Sequence, residues 1–311
     1  MKLDAAIDQY VSLKRAVGYD FLRGAYTLEL FRRHHGDIRL NDFRSQNVRS
    51  FLYSKRSPHH FMHATYYPVA GFLRFCVARG YLPSLPLPAV IPKDPKAFIP
   101  YIYSEQEVRR ILDAASNLNY LRSQIDLMTF RRIILLLYGT GIRIGEALSL
   151  TLKDVDVGHA MLSIKDSKFH KSRLVPIGND LVQVISDQVT LRHHERVRGS
   201  SPLFASRRRS WIRRATFDCH FVRVRDSAGV HRETSSRYQP RVHDFRHTFA
   251  VRRVVSWYRE GANLEIMLPR LATYLGHINL SGTQRYLTLT GELLSEASSR
   301  FERYAMGEHH A

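Results

Sequence analysis

The chain has 311 residues and a mass of 36.1 kDa, and it is 44% hydrophobic with 11% aromatic residues, which supplies real cores and argues against disorder. Its 47 Lys and Arg stand against 28 Asp and Glu, giving a net charge of +19 and a pI near 10.2, so a polyanionic partner is favoured. No apolar run approaches the roughly 18–20 residues that span a bilayer, and MKLDAAIDQY places two aspartates where a signal peptide needs an apolar core.

Cys76 and Cys219 have no CxxC spacing, so neither a disulfide framework nor a structural zinc site is expected, and a reducing cytoplasm fits. The charge is spread along the chain. Residues 1–96 hold 15 Lys and Arg against 7 Asp and Glu, net +8, which leaves +11 for the remainder. A membrane-surface protein more often confines its charge to one amphipathic segment, so a long polyanion gripped from two sides is the better expectation.

In chain order, AAIDQYVSLKRAVG, YTLELFRRHH, SQNVRSFLYSKR and HATYYPVAGFLRFCVARG space apolar residues by three and four, which predicts a small helical bundle. Residues 81–101 then contain six of the twelve prolines and are read as a stiff, extended spacer between two domains. After it, Ser104 and Glu107 stand in capping-box spacing, and LMTFRRIILLLYGTG reads as a buried helix ending at glycine. DVDV, AMLSIKD and SRLVPIG carry β-branched residues between turn-like breaks and predict a small antiparallel sheet. Helix resumes through residue 306, before a frayed tail. The fold class is therefore mainly α, with a small antiparallel β-sheet in the second domain.

Four stretches carry candidate chemistry. In TGIRIGEALSL, Arg143 lies near a helix start with Glu146 on the same face, an arginine fork for phosphate oxygens or, more blandly, a surface ion pair. The glycines there are misplaced for GxGxxG, and no GK[ST] follows. In SKFHKSRLVPI, Lys168 falls at a strand end or hairpin turn as a mobile proton donor, with Lys165 and Lys171 as rivals. In RVHDFRHTFAV, His243, Arg246 and His247 share one helical face, with a solvated surface as the alternative. An arginine between the histidines disfavours a metal site. In LGHINLSGTQRYL, His277 precedes Tyr286 by nine residues. A phenol with a pKa near 10 is a poor nucleophile unless cations or a base stabilise its anion.

Together these stretches resemble the tyrosine recombinase family, also called phage integrases, whose pattern is TGxRxxE, a Lys on a hairpin before RxVP, HxxRH, and LGH followed nine residues later by Tyr. The resemblance covers roughly residues 100–300. It implies a helical, SAM-like core-binding domain over residues 1–95, the end of a linker at 96–103 and an α+β catalytic domain over 104–311. It further implies that Tyr286 attacks the scissile phosphate to form a 3′-phosphotyrosine, that Lys168 protonates the leaving 5′ oxygen, and that Arg143 and Arg246 hold the non-bridging oxygens. His243 would assist proton transfer at Tyr286, and His277 would donate to a phosphate oxygen. Glu146 and His247 support the site. Exchange of one phosphate ester for another needs no cofactor, and no metal is expected beside so many cationic groups.

The segment between Arg246 and His277 looks longer than in compact members by about two helical turns, which is similar to recombinases of transposable elements. The expected partners are double-stranded DNA sites and further copies of the chain, in a tetramer assembled through the C-terminal helix, with accessory recombinases of the same element. The expected location is the cytoplasm, at the nucleoid. The basic run SRRRSWIRR adds Arg207, Arg208, Arg209, Arg213 and Arg214 as phosphate contacts, with Trp211 packed beneath the charges and a solvated helix face as the alternative. His34–His35, His59–His60 and His193–His194 are discounted as metal pairs because neighbours on a helix point apart. Two other functions stay open: a DNA-binding protein whose partner cuts, and strand relaxation of the type IB topoisomerase kind.

Overall fold

The computed structural model describes residues 1–54, 59–87, 99–117, 124–167, 171–195, 197–232 and 238–276. The chain divides into two compact units, Met1–Phe98 and Ile99–Ala311. Most of the proline-rich segment, residues 88–98, lies outside the described residues. No helix among them is long and apolar enough to cross a membrane.

The first unit contains helices α1 (Leu3–Ala16), α2 (Leu22–His35), α3 (Ser45–Leu52) and α4 (His59–Ala78), as the helical spacing predicts. Each buries one apolar stripe, supplying Leu3 and Ile7, Leu28 and Phe31, Val48 and Phe51, and Val69, Phe72 and Leu73 to a common core. The His34 and His35 rings lie 4.7 Å apart, edge to face, so the expectation that they point apart is wrong. His35 belongs to the aromatic cluster, 4.7 Å from Phe31 and 5.3 Å from Phe43, and burial followed by the neighbouring His34 lowers its pKa to about 4.

The second unit is built around α6 (Leu127–Thr140), which packs against α5 (Glu105–Asn117), α8 (Asn179–His194) and α10 (Asp244–Arg259). The expected capping box opens α5: Ser104 N–H donates to Glu107 Oε2 at 2.9 Å, and Glu107 N–H donates to Ser104 Oγ at 3.2 Å. Asp126 caps α6 through Thr129 N–H at 2.9 Å, and Gly141 ends it in the left-handed region at φ 64°. Ile133, Ile134, Leu136 and Leu137 of α6 are all buried.

Among the described residues the sheet has three antiparallel strands in the order β1 (Val155–Asp156), β2 (Met161–Ser167) and β3 (Lys171–Pro176). Leu162 pairs with Val175 and Ile164 with Arg173, and a bulge interrupts the ladder between Ile164 and Ser167. The small sheet inside a helical unit is as expected. The remaining helices are α7 (Ile144–Ser149), α9 (Arg214–Ser227) and α11 (Leu264–Leu275). Helix α11 closes on α10 through Leu268, Leu271 and Leu275 against Phe249, Val251 and Val254.

Candidate active site

Arg143 is the N-cap residue of α7, a helix of only six residues that depends on packing rather than propensity. Glu146, at the third helical position, accepts the Arg143 backbone N–H at 2.9 Å and the Arg143 Nη1 at 2.7 Å. One carboxylate thus caps the helix and fixes its own N-cap side chain. Glu146 is 9% exposed, so this is not the bland surface pair.

Arg173, to which the sequence reading gives no role, reaches the same carboxylate from β3. Its Nη2 lies 2.8 Å from Glu146 Oε2 and its Nη1 lies 3.1 Å from Oε1. Burial pushes the Glu146 pKa up, but the hydrogen bonds from Arg173 and Arg143 and the positive charge of Arg173 outweigh it, and the net value is about 2. The signal for Arg173 lies in the strand period: Val175 is buried, and Arg173 is the cation two positions before it on the same face of β3.

From α10, Arg246 is 2% exposed, which rules out a solvated helix face. Its Nη1 donates to the Gly141 carbonyl at 3.0 Å and its Nη2 to the Leu275 carbonyl at 2.6 Å. Both acceptors end helices, where carbonyls lack intrahelical partners and the dipole favours cations. Arg143 Nη2 donates to the next carbonyl, Gly276, at 3.0 Å, so the two arginines converge on one turn of chain.

His243 precedes the first residue of α10, and its ring lies 5.0 Å from that of His247. Burial first, then His247 and Arg246, lowers its pKa to about 4, which leaves the imidazole neutral at pH 7 and able to accept a proton. Asp244, 1% exposed, accepts from the Arg241 backbone N–H at 2.8 Å and side chain at 3.1 Å, which ties down the turn carrying His243. A cavity of about 540 Å³ beside His243 is lined by Arg214, Arg225, Arg241 and Phe221.

The basic run 206–214 is not a helix face. Residues 206–210 form a turn held by Ser206 and Ser210 hydroxyls 2.8 Å apart, with Arg209 in the left-handed region at φ 60°, and α9 begins only at Arg214. Trp211 does not pack beneath the charges: it is 49% exposed, and Ile212 is the buried residue. Arg207, Arg208, Arg209, Arg213 and Arg214 are all exposed. Lys168, His277, Tyr286 and the C-terminal helix lie outside the described residues.

Residues 102–292 match the phage integrase family. The integrase/recombinase y4rB of Sinorhizobium fredii is 33% identical over 310 residues, 96% of each chain. Tyrosine recombinase XerA of Pyrococcus horikoshii is 30% identical over 207 residues, 66% of this chain and 62% of that one. Among solved structures, the Tn1549 transposon integrase in complex with transposon right end DNA aligns with a TM-score of 0.72 at 14% identity, covering 98% of this chain and 100% of that one. A lambda integrase dimer bound to a core site aligns with a TM-score of 0.63 at 17% identity, covering 90% and 96%. The structures share the fold; the family match over well over half of the chain and the relative that runs its length make this protein a member of the phage integrase family of tyrosine recombinases.

Proposed function

We propose that the protein is a site-specific DNA recombinase that cuts and rejoins strands through a 3′-phosphotyrosine on Tyr286 and a Holliday junction. The observation that carries this reading is the convergence of Arg143 and Arg246 on the carbonyls of Gly276 and Leu275, immediately before the chain enters His277. Two guanidinium groups fixed by backbone suit the two non-bridging oxygens of a phosphodiester, and fixed cations stabilise charge that grows in a pentacoordinate transition state without reorganising.

In the forward step the Tyr286 oxygen bonds to phosphorus as the bond from phosphorus to the 5′ oxygen breaks. The phenolic proton passes to neutral His243, and Lys168 gives a proton to the departing 5′ oxygen. The reverse step, with a 5′ hydroxyl from a second strand, restores a phosphodiester. One ester replaces another throughout, so bond energy is conserved. His277 donates to a phosphate oxygen, and His247 supports the site beside His243.

In this reading residues 1–95 form the core-binding domain and residues 104–311 the catalytic domain. The exposed Arg207, Arg208 and Arg209 of the turn, with Arg213 and Arg214 at the start of α9, grip the DNA backbone. The long segment between Arg246 and His277 favours a mobile-element enzyme, active as a tetramer joined by C-terminal helices, with accessory recombinases of the same element as further partners and the nucleoid as its place of work. Product topology tests the proposal: supercoiled plasmids carrying one or two of the element's end-to-end junctions are incubated with the protein. Recombinant products that require two sites support it; relaxation of the one-site plasmid without recombinants would instead assign strand relaxation.

A further inference from the structure

Three successive carbonyls at the end of α11 each accept from a different arginine: Tyr274 from Arg173 Nε at 2.8 Å, Leu275 from Arg246 Nη2 at 2.6 Å, and Gly276 from Arg143 Nη2 at 3.0 Å. These cations come from β3, from α10 and from the residue before α7. Carbonyls at a helix C-terminus have no partners within the helix, and three guanidinium groups satisfy them here. Arg173, with its side chain 11% exposed, differs from Arg246 in that it also holds both oxygens of Glu146, and Glu146 in turn holds Arg143. Gly276 completes the joint, because a Cβ built there would stand 3.1 Å from Arg173 Nη1, in a backbone with φ +68° that already disfavours a side chain.

We infer that Arg173 is a positioning residue for strand cleavage, which through Glu146 and the Tyr274 carbonyl fixes Arg143 against the stretch of chain that leads into His277 and Tyr286. It joins the group that holds phosphate to the segment that carries the nucleophile. The chemistry requires an arginine: a planar fork with Nε and two Nη groups reaches a carboxylate on one side and a carbonyl on the other, whereas a lysine is a single point charge and holds only one of them. The inference rests on the cleavage reading above, and the test separates the two.

A nicked suicide substrate is used at saturating protein, and the single-turnover rate of covalent adduct formation is measured beside the DNA dissociation constant and the unfolding midpoint. The proteins are wild type, Arg173→Met, Arg173→Lys, Arg143→Ala and the Arg143→Ala/Arg173→Met double variant. An arginine that only positions changes DNA affinity less than about threefold, yet lowers the cleavage rate by about 100-fold, the scale of an ångström-level misplacement. Arg173→Lys, which keeps the charge and so the fold, still loses at least about tenfold in rate. Because the effect passes through Arg143, the double variant cleaves no more slowly than Arg143→Ala alone. The inference is overturned if folded Arg173→Lys cleaves within threefold of wild type, or if the two single losses multiply in the double variant. No adduct from wild type would instead strike the cleavage reading itself.

Discussion

Glu146 is the carboxylate on which two arginines depend, and Glu146→Gln removes its charge while keeping its size. It accepts four hydrogen bonds, two from Arg143 at 2.7 and 2.9 Å and two from Arg173 at 2.8 and 3.1 Å, inside a site where it is 9% exposed. A glutamine keeps one acceptor oxygen and turns an NH₂ group toward guanidinium donors, leaving the partly buried Arg143 and Arg173 without this counter-charge. The displacement of the Glu146 pKa from 4.5 to about 2 corresponds to roughly 3 kcal/mol between its charged and neutral forms. That agrees with the ~3–5 kcal/mol typical of removing one partner from a buried ion pair. Urea unfolding of the full chain at pH 7 should therefore show a loss of about 3 kcal/mol, and the thermal midpoint should fall by roughly 6–12 °C for a unit of this size. The folded pKa is depressed, so the stabilisation is complete above pH 4.5 and is lost as pH falls through about 2. The gap between wild type and variant should shrink to less than about half by pH 3. A variant within about 0.5 kcal/mol of wild type at pH 7, or a gap unchanged at pH 3, would show that the Glu146 charge does not hold this site together.

Gly141→Ala places a Cβ 2.6 Å from the Phe249 ring in a left-handed backbone, so a loss of ~2–4 kcal/mol is expected from strain and overpacking together, and chemical unfolding showing less than about 1 kcal/mol contradicts it. In the DNA-free protein, the His243 ring resonances should titrate near pH 4; its lowered folded pKa makes this histidine oppose folding as pH falls from 6.5 through about 4 and keeps it neutral above that window. A midpoint at or above 6.5 contradicts the burial argument. Replacing Arg207, Arg208 and Arg209 with Ala should weaken DNA binding and reduce the slope of log affinity against log salt by roughly 2–3, as loss of three exposed phosphate contacts requires, whereas an unchanged slope takes the turn off the DNA.

Much of this fold was legible because its signals are local. Helical spacing predicted the four helices of the first unit, the Ser104–Glu107 pair marked the start of α5, and glycine closed α6 at Gly141. The approach of Arg143 and Arg246 was implied only by the family pattern, since the contacts join residues 133 and 29 positions from their carbonyl partners. Arg173 is the arginine of RxVP but was given no role, because its acceptors are a carboxylate 27 positions back and a backbone carbonyl 101 positions on, and carbonyls have no letter in a sequence. The basic run misled for another reason. Charge density gives no shape: Trp211 was expected beneath the charges, with a solvated helix face as the alternative, but a bridge between Ala205 and Trp211 and the Ser206–Ser210 hydroxyl pair bend the run into a turn, burying Ile212 and leaving the indole outside.

Trapping the covalent intermediate shows whether Tyr286 is the nucleophile. Wild type and Tyr286→Phe are each incubated with a nicked suicide substrate carrying the element's own ends and resolved on a denaturing gel. A slow-migrating protein–DNA adduct is expected from wild type alone, with the attached peptide mapping to Tyr286; an adduct that persists in Tyr286→Phe, or none from a wild type that binds the site tightly and specifically, means that Tyr286 is not the nucleophile of a recombinase.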